Sequence, residues 1–183
     1  LLASGVKLDI HFHLAKDRLD FWQNNPRVIE KGAIKRIFLF LYNFLFGHNR
    51  PAVIAREWER QILDFKNMFG KSPDGASSHE HIHFFPPYFK KFLRLSEKYG
   101  IGYIRFGKET YRHKNKVCAI LNLLKKMDGW QFRKSSMATS DYMISFDWNH
   151  DLNACIQGIN NHSEVEIIFH PELVPEYKVL KSL

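Results

Sequence analysis

Three histidines at alternate positions, His79, His81 and His83, stand in the stretch Ser77-Ser78-His79-Glu80-His81-Ile82-His83-Phe84-Phe85-Pro86-Pro87. In an extended strand, alternate side chains share one face, with successive members roughly 7 Å apart. A row of neutral imidazoles presented this way offers ligands to a divalent metal ion. The competing reading is a polar surface run, or a structural cluster, that meets divalent ions only incidentally. A second alternation occurs earlier: Asp9, His11 and His13 interleave with Leu8, Ile10, Phe12 and Leu14. Two strands that each present a His-x-His pair are hard to explain as core histidines, and they favour the metal reading. Arg105, Asp141 and His170 are the other chemistry-bearing residues that fall at expected strand ends.

The elements that must position these groups follow from periodicity and punctuation. Val6 to Leu14 reads as a first strand, with its apolar face toward helices and its imidazole face elsewhere. Helical periodicity is expected over Val28 to Phe46 and, more clearly, from Ala52 to Phe69, where Ile54, Trp58, Ile62 and Phe65 form a stripe ended by Gly70. A strand is expected from about Ala76 through the histidine triplet. Pro86 and Pro87 should end it and open the next helix, Pro87 to Tyr99, because proline cannot donate to a ladder but fits a first helical turn. Further strands are expected at Ile101–Phe106, within Met137–Phe146 and at Val165–Phe169. Further helices are expected at Lys116–Met127, with Val117, Ile120, Leu121 and Leu124 inward, and at Trp148–Ile159. Strands alternating with amphipathic helices imply about five parallel βα units in an α/β fold. Polar residues at the strand ends, His11, His79, Arg105, Asp141 and His170, would then gather at one rim of a barrel-like sheet.

Composition narrows the classes. The 183 residues suffice for one domain with a core, and 45% apolar with 25% charged content is that of a globular chain rather than a disordered one. The net charge of +8 comes from scattered lysines and arginines. No basic run with interleaved aromatics marks a nucleic-acid module, so no nucleic-acid partner is expected. Cys118 and Cys155 are too few for a disulfide framework and read as buried thiols, which fits a cytoplasmic setting. The apolar stretch Ile37 to Phe46 is half the length a membrane span needs, so membrane contact is disfavoured. A homo-oligomer is compatible with the sequence.

Several motifs occur in a telling order. Asp9-Ile10-His11-Phe12-His13-Leu14 is similar to a Gly-x-His-x-x-Leu strand. Gly70-Lys71-Ser72-Pro73, followed by the triplet and its prolines, is similar to Gly-x-x-Pro-Thr-His-x-Asp-Ser-His-x-His-x-His-x-x-Pro. Ile104-Arg105-Phe106, Thr139-Ser140-Asp141 and Glu166-Ile167-Ile168-Phe169-His170-Pro171 complete the series. Together they resemble the YdjC-like carbohydrate deacetylases of the chitooligosaccharide type, and the likeness spans nearly the whole chain.

The resemblance implies a (β/α) barrel of the polysaccharide deacetylase type, here incomplete or distorted. It also implies metal-dependent hydrolysis of N-acetyl groups on amino sugars or short oligosaccharides. The family binds one divalent ion, magnesium or zinc, on an aspartate and two histidines. By position the histidines are His11 and His79. His170 becomes the candidate acid that protonates the leaving amine. His81, His83, Arg105 and Asp141 become substrate-binding or supporting groups. Two departures stand out. The family's opening strand, Asn-Ala-Asp-Asp-Phe-Gly, has no counterpart, and its aspartate before the Ser-His pair is Ser77 here. The expectation is a single deacetylase-like domain over 1–183 without the N-terminal βα unit and with little or no activity by itself. The alternative is a non-catalytic carbohydrate- or metal-binding protein on a decayed deacetylase scaffold.

Overall fold

A computed structural model describes residues 7–13, 50–109, 116–145 and 159–168. The helix expected over Val28 to Phe46, most of the one expected over 148–159, Cys155 and His170 lie outside them. The chain divides into two compact units, Leu1–Ile104 with Gln131–Met137, and Arg105–Trp130 with Ala138–Leu183.

The first unit is built on a parallel three-stranded sheet in the order β1-β2-β3. Strand β1 is Asp9–Phe12, β2 is Gly75–Ser78 and β3 is Tyr103–Ile104. In β1, Ile10 and Phe12 are buried while Asp9 and His11 are exposed, so the alternation in sequence becomes the two faces of the strand. Helix α1, Pro51–Phe69, joins β1 to β2, and helix α2, Pro86–Tyr99, joins β2 to β3. Both open on proline, whose missing N–H costs nothing at a first turn. Both stop on a left-handed glycine, Gly70 at φ 69° and Gly100 at φ 68°, whose N–H groups cap helical carbonyls.

The core between sheet and helices is aromatic. Trp58 of α1 stacks on Phe12 with ring centroids 5.6 Å apart, and Phe92 of α2 meets both rings edge-on. All three are buried, as are Ile54, Ile62, Tyr88 and Phe89. Burial of each such side chain contributes about 1.5–3 kcal/mol. The edge of the sheet is pinned by Asp74, whose carboxylate accepts the Leu8 N–H at 2.7 Å and the Lys71 ammonium at 2.7 Å. Those two donors, Lys71 first, hold its carboxyl below the usual range.

The strand expected through the histidine triplet ends at Ser78. His79–Phe84 instead form a 3-10 helix. Its period is three residues per turn, so histidines two apart cannot share a face. The hydroxyl of Ser78 accepts the His83 N–H at 3.1 Å and lies 2.6 Å from His83 Nδ1, drawing the chain into the turn. Such a local side-chain bond competes with a sheet ladder. His81 takes a positive φ of 53° within it.

The second unit holds another parallel sheet, in the order β4-β5-β6. Its strands are Lys108–Glu109, Tyr142–Ser145 and Val165–Ile168. Helix α3, Lys116–Arg133, turns Cys118, Leu121, Lys125 and Asp128 inward. Ile120, expected inside, is 57% exposed. On the inward face the Lys125 ammonium donates to the Gly107 carbonyl at 2.6 Å. The structure therefore has parallel strands with helical connections, as expected, while no closed barrel is present among the described residues.

Candidate metal centre

The site grows out of the end of β1. Phe12 is locked beneath Trp58, so its neighbours His11 and His13 must project to the opposite, exposed side. Strand register sets what they meet. His11 pairs with Ser77 and Phe12 with Ser78, so the next step brings His13 toward His79, the first residue of the 3-10 helix. His13 and His79 have ring centroids 4.9 Å apart, and His11 lies 5.3 Å from His13 and 5.9 Å from His79.

One nitrogen from each of the three rings falls within a cluster no wider than 4.8 Å. Four-coordinate binding at 2.0–2.1 Å needs nitrogens roughly 3.3 Å apart, a closure that rotation of part-exposed imidazoles can supply. The three residues could therefore hold a metal ion. Partial desolvation, with a smaller push from His79, keeps the His13 imidazole below its ordinary pKa, which favours the neutral form a ligand requires.

Two supporting contacts are specific. The Ser77 hydroxyl lies 2.8 Å from His11 Nδ1 and so steadies the orientation of that ring. The side-chain amide of Gln61, on α1, bonds the backbone of His13 at both polar groups. Its Oε1 accepts the His13 N–H at 3.0 Å and its Nε2 donates to the His13 carbonyl at 2.6 Å. Asp9 stands on the same face as His11, yet its carboxylate lies over the neighbouring strand. A Cβ placed on Gly75 would meet Asp9 Oδ1 at 2.5 Å, so a side chain there would displace that carboxylate.

The other expected site residues are placed as follows. His83 is wholly buried, with its ring 4.7 Å from Phe92, and His81 stacks on Phe84 at 5.5 Å. Neither is part of the three-histidine cluster. Arg105 belongs to the second unit, where its Nε donates to Glu166 Oε1 at 2.6 Å. Asp141 precedes β5 rather than ending it, and its carboxylate accepts the Glu164 N–H at 2.9 Å. This corrects the expectation of Asp141 at a strand's C-terminal rim. The backbone pairing of Asp141 with Lys108 and Glu164 starts the sheet at that residue. His170 lies outside the described residues. His13 entered the sequence reading as half of a His-x-His pair without being assigned as a ligand, and Gln61 did not enter it. The signal for His13 was its parity with His11 in β1, whereas nothing in the sequence of an amphipathic helix marked Gln61.

Residues 3–180 match the family described as YdjC-like protein. The chain belongs to that family. Among curated proteins none matches this YdjC-like chain. A crystal structure from Enterococcus faecalis V583, of a protein provisionally described as a cellobiose-phosphate cleavage protein, is similar at 20% identity with a TM-score of 0.44. The alignment covers 73% of the YdjC-like chain and 47% of the Enterococcus protein, so this chain spans about half the length of that neighbour. Among the described residues no helix is long and apolar enough to cross a membrane, and Ile37 to Phe46 lie outside them.

Proposed function

We propose that this chain carries the metal-binding part of a YdjC-like carbohydrate hydrolase that removes N-acetyl groups from amino sugars or short oligosaccharides. The observation that carries the reading is the convergence of His11, His13 and His79 on the exposed face of parallel strands in a chain of this family. A bound divalent ion would polarise the amide carbonyl and lower the pKa of a water molecule. His11 and His79 would hold it, with Ser77 steadying the His11 ring through its Nδ1. His170 is assigned the proton that the departing amine requires, on the strength of the motif Glu166-Ile167-Ile168-Phe169-His170-Pro171. Arg105 and Asp141 are assigned to substrate orientation on the same basis. The (β/α) barrel of the family is the proposed architecture of the complete fold.

Among the described residues the three-histidine cluster includes no carboxylate to serve as a base. That favours slow turnover by this chain, and it supports a second reading in which the scaffold binds saccharide without hydrolysing it. Acetate release from N-acetylglucosamine oligomers, measured with and without a chelator, tests both. Slow, chelator-sensitive release that disappears in His79→Ala supports the hydrolase. Saturable oligosaccharide binding with no acetate released supports the binder.

A further inference from the structure

We propose that His13 is a third protein ligand of the metal, held in place by Gln61 as a positioning residue, giving a site made of three imidazoles. This rests on the metal-site reading above and extends it to the coordination set and the class of ion.

His13 lies one step past β1, whose pairing with β2 runs from Asp9 to Phe12 among the described residues. Its ring is nonetheless 4.9 Å from that of His79 and 5.3 Å from that of His11. What fixes its backbone is Gln61. The primary amide has one acceptor and two donors, and here it reproduces the pairing of a neighbouring strand, accepting from His13 N and donating to His13 O. The amide is braced in turn. Its Nε2 also donates to Glu57 Oε1 at 2.9 Å, and Glu57 is held by Arg60, which reaches Asp64 at 2.6 Å. A helix that otherwise supplies Trp58 and Ile62 to the core thus reaches over the sheet end and seats one imidazole. Backbone capture of this kind has a purpose if the side chain it presents must keep a fixed direction.

The donor chemistry sets the ion. Three neutral nitrogens leave the charge of a divalent cation uncompensated, which suits a borderline d-block ion with strong imidazole affinity, such as zinc or cobalt. Magnesium prefers oxygen donors and gives up its waters reluctantly, so it gains little here. The serine at position 77 fits the same logic, because it supports His11 as an outer hydrogen-bond partner.

Cobalt(II) titration of the 183-residue chain, followed by visible absorption, provides the test. The expected result is one equivalent bound with the strong bands of a four-coordinate ion, unaffected by excess magnesium. His13→Ala should weaken binding by about 100-fold or more and shift the bands toward those of a higher-coordinate site. Gln61→Ala should keep the saturated spectrum but weaken binding by about tenfold, with unchanged melting of the metal-free protein. His162→Ala, an exposed histidine of the second unit, should bind as the parent does. If the parent binds no stoichiometric metal, the underlying metal reading fails and this proposal with it. If His11→Ala and His79→Ala lose binding while His13→Ala matches the parent in affinity and spectrum, His13 is not a ligand and the metal site stands without it. If Gln61→Ala matches the parent in affinity, the positioning role is overturned.

Discussion

Ser78 and His83 close a six-residue loop onto itself: the serine hydroxyl accepts the His83 N–H and lies 2.6 Å from its Nδ1, with both side chains buried. A hydroxyl with one proton and two lone pairs can serve both contacts at once. These two contacts favour a 3-10 turn at the end of β2, the turn that sets His79 beside His11 and His13. Ser78→Ala removes the partner of a buried imidazole, which costs about 1–3 kcal/mol. Urea unfolding should show that loss, and metal affinity should fall with it because His79 follows directly. A variant as stable as the parent would mean that packing alone forms the turn.

Ser77 makes a different kind of contact, and its substitution separates affinity from stability. Its hydroxyl orients His11 without closing any turn. Ser77→Ala should reduce metal affinity by about 10–100-fold, the usual effect of losing an outer hydrogen-bond partner, with little change in melting. Ser77→Asp, which places at this position the residue of the family's motif, should tighten binding by making the His11 ring a stronger donor. Calorimetric titration of zinc into the two variants gives opposite directions if Ser77 acts through His11. Equal affinities would show that the 2.8 Å contact does not tune the ligand.

Much of the first unit was legible because each signal there is local. Pro51 and Pro86 open helices, Gly70 and Gly100 end them, and the alternation Asp9 to His13 translates directly into exposed and buried faces. The triplet was misread because His-x-His-x-His satisfies a strand pattern, while the Ser78 hydroxyl that overrides it has no periodic signature. In α3 the pattern failed for a related reason. Lys125 and Asp128 face inward, against hydropathy, and the buried Lys125 ammonium finds an acceptor there in the Gly107 carbonyl. At the site, sequence named His11 and His79 but could not tell that the β1–β2 register carries His13 toward His79. Gln61 was invisible, since a bond across 48 residues depends wholly on tertiary packing.

The aromatic anchor beneath the site gives a third prediction. Trp58 is fully buried and stacks on Phe12, the residue between His11 and His13. Trp58→Ala should destabilise the protein by about 3–5 kcal/mol, through lost burial and the cavity left behind. Trp58→Phe should recover part of that and, by keeping a ring over Phe12, should retain most of the cobalt affinity. If Trp58→Phe kept stability but lost metal, the anchor would be acting on the site by more than its volume.

Asp128 supplies the pH dependence. It is buried in α3, and desolvation pushes its pKa up from 3.8 to about 7. The folded state therefore keeps a proton that the unfolded chain has already released between those values. Stability contributed by this group is complete below the unfolded pKa and is lost as pH rises toward 7, with no further change above it. Asp128→Asn cannot ionise and should not lose that contribution. Thermal melting of the two proteins should nearly coincide at pH 4, diverge through pH 5 to 7, and leave the asparagine variant the more stable at pH 8. Curves that stay parallel across that interval would mean that Asp128 ionises in the folded protein as it does in water.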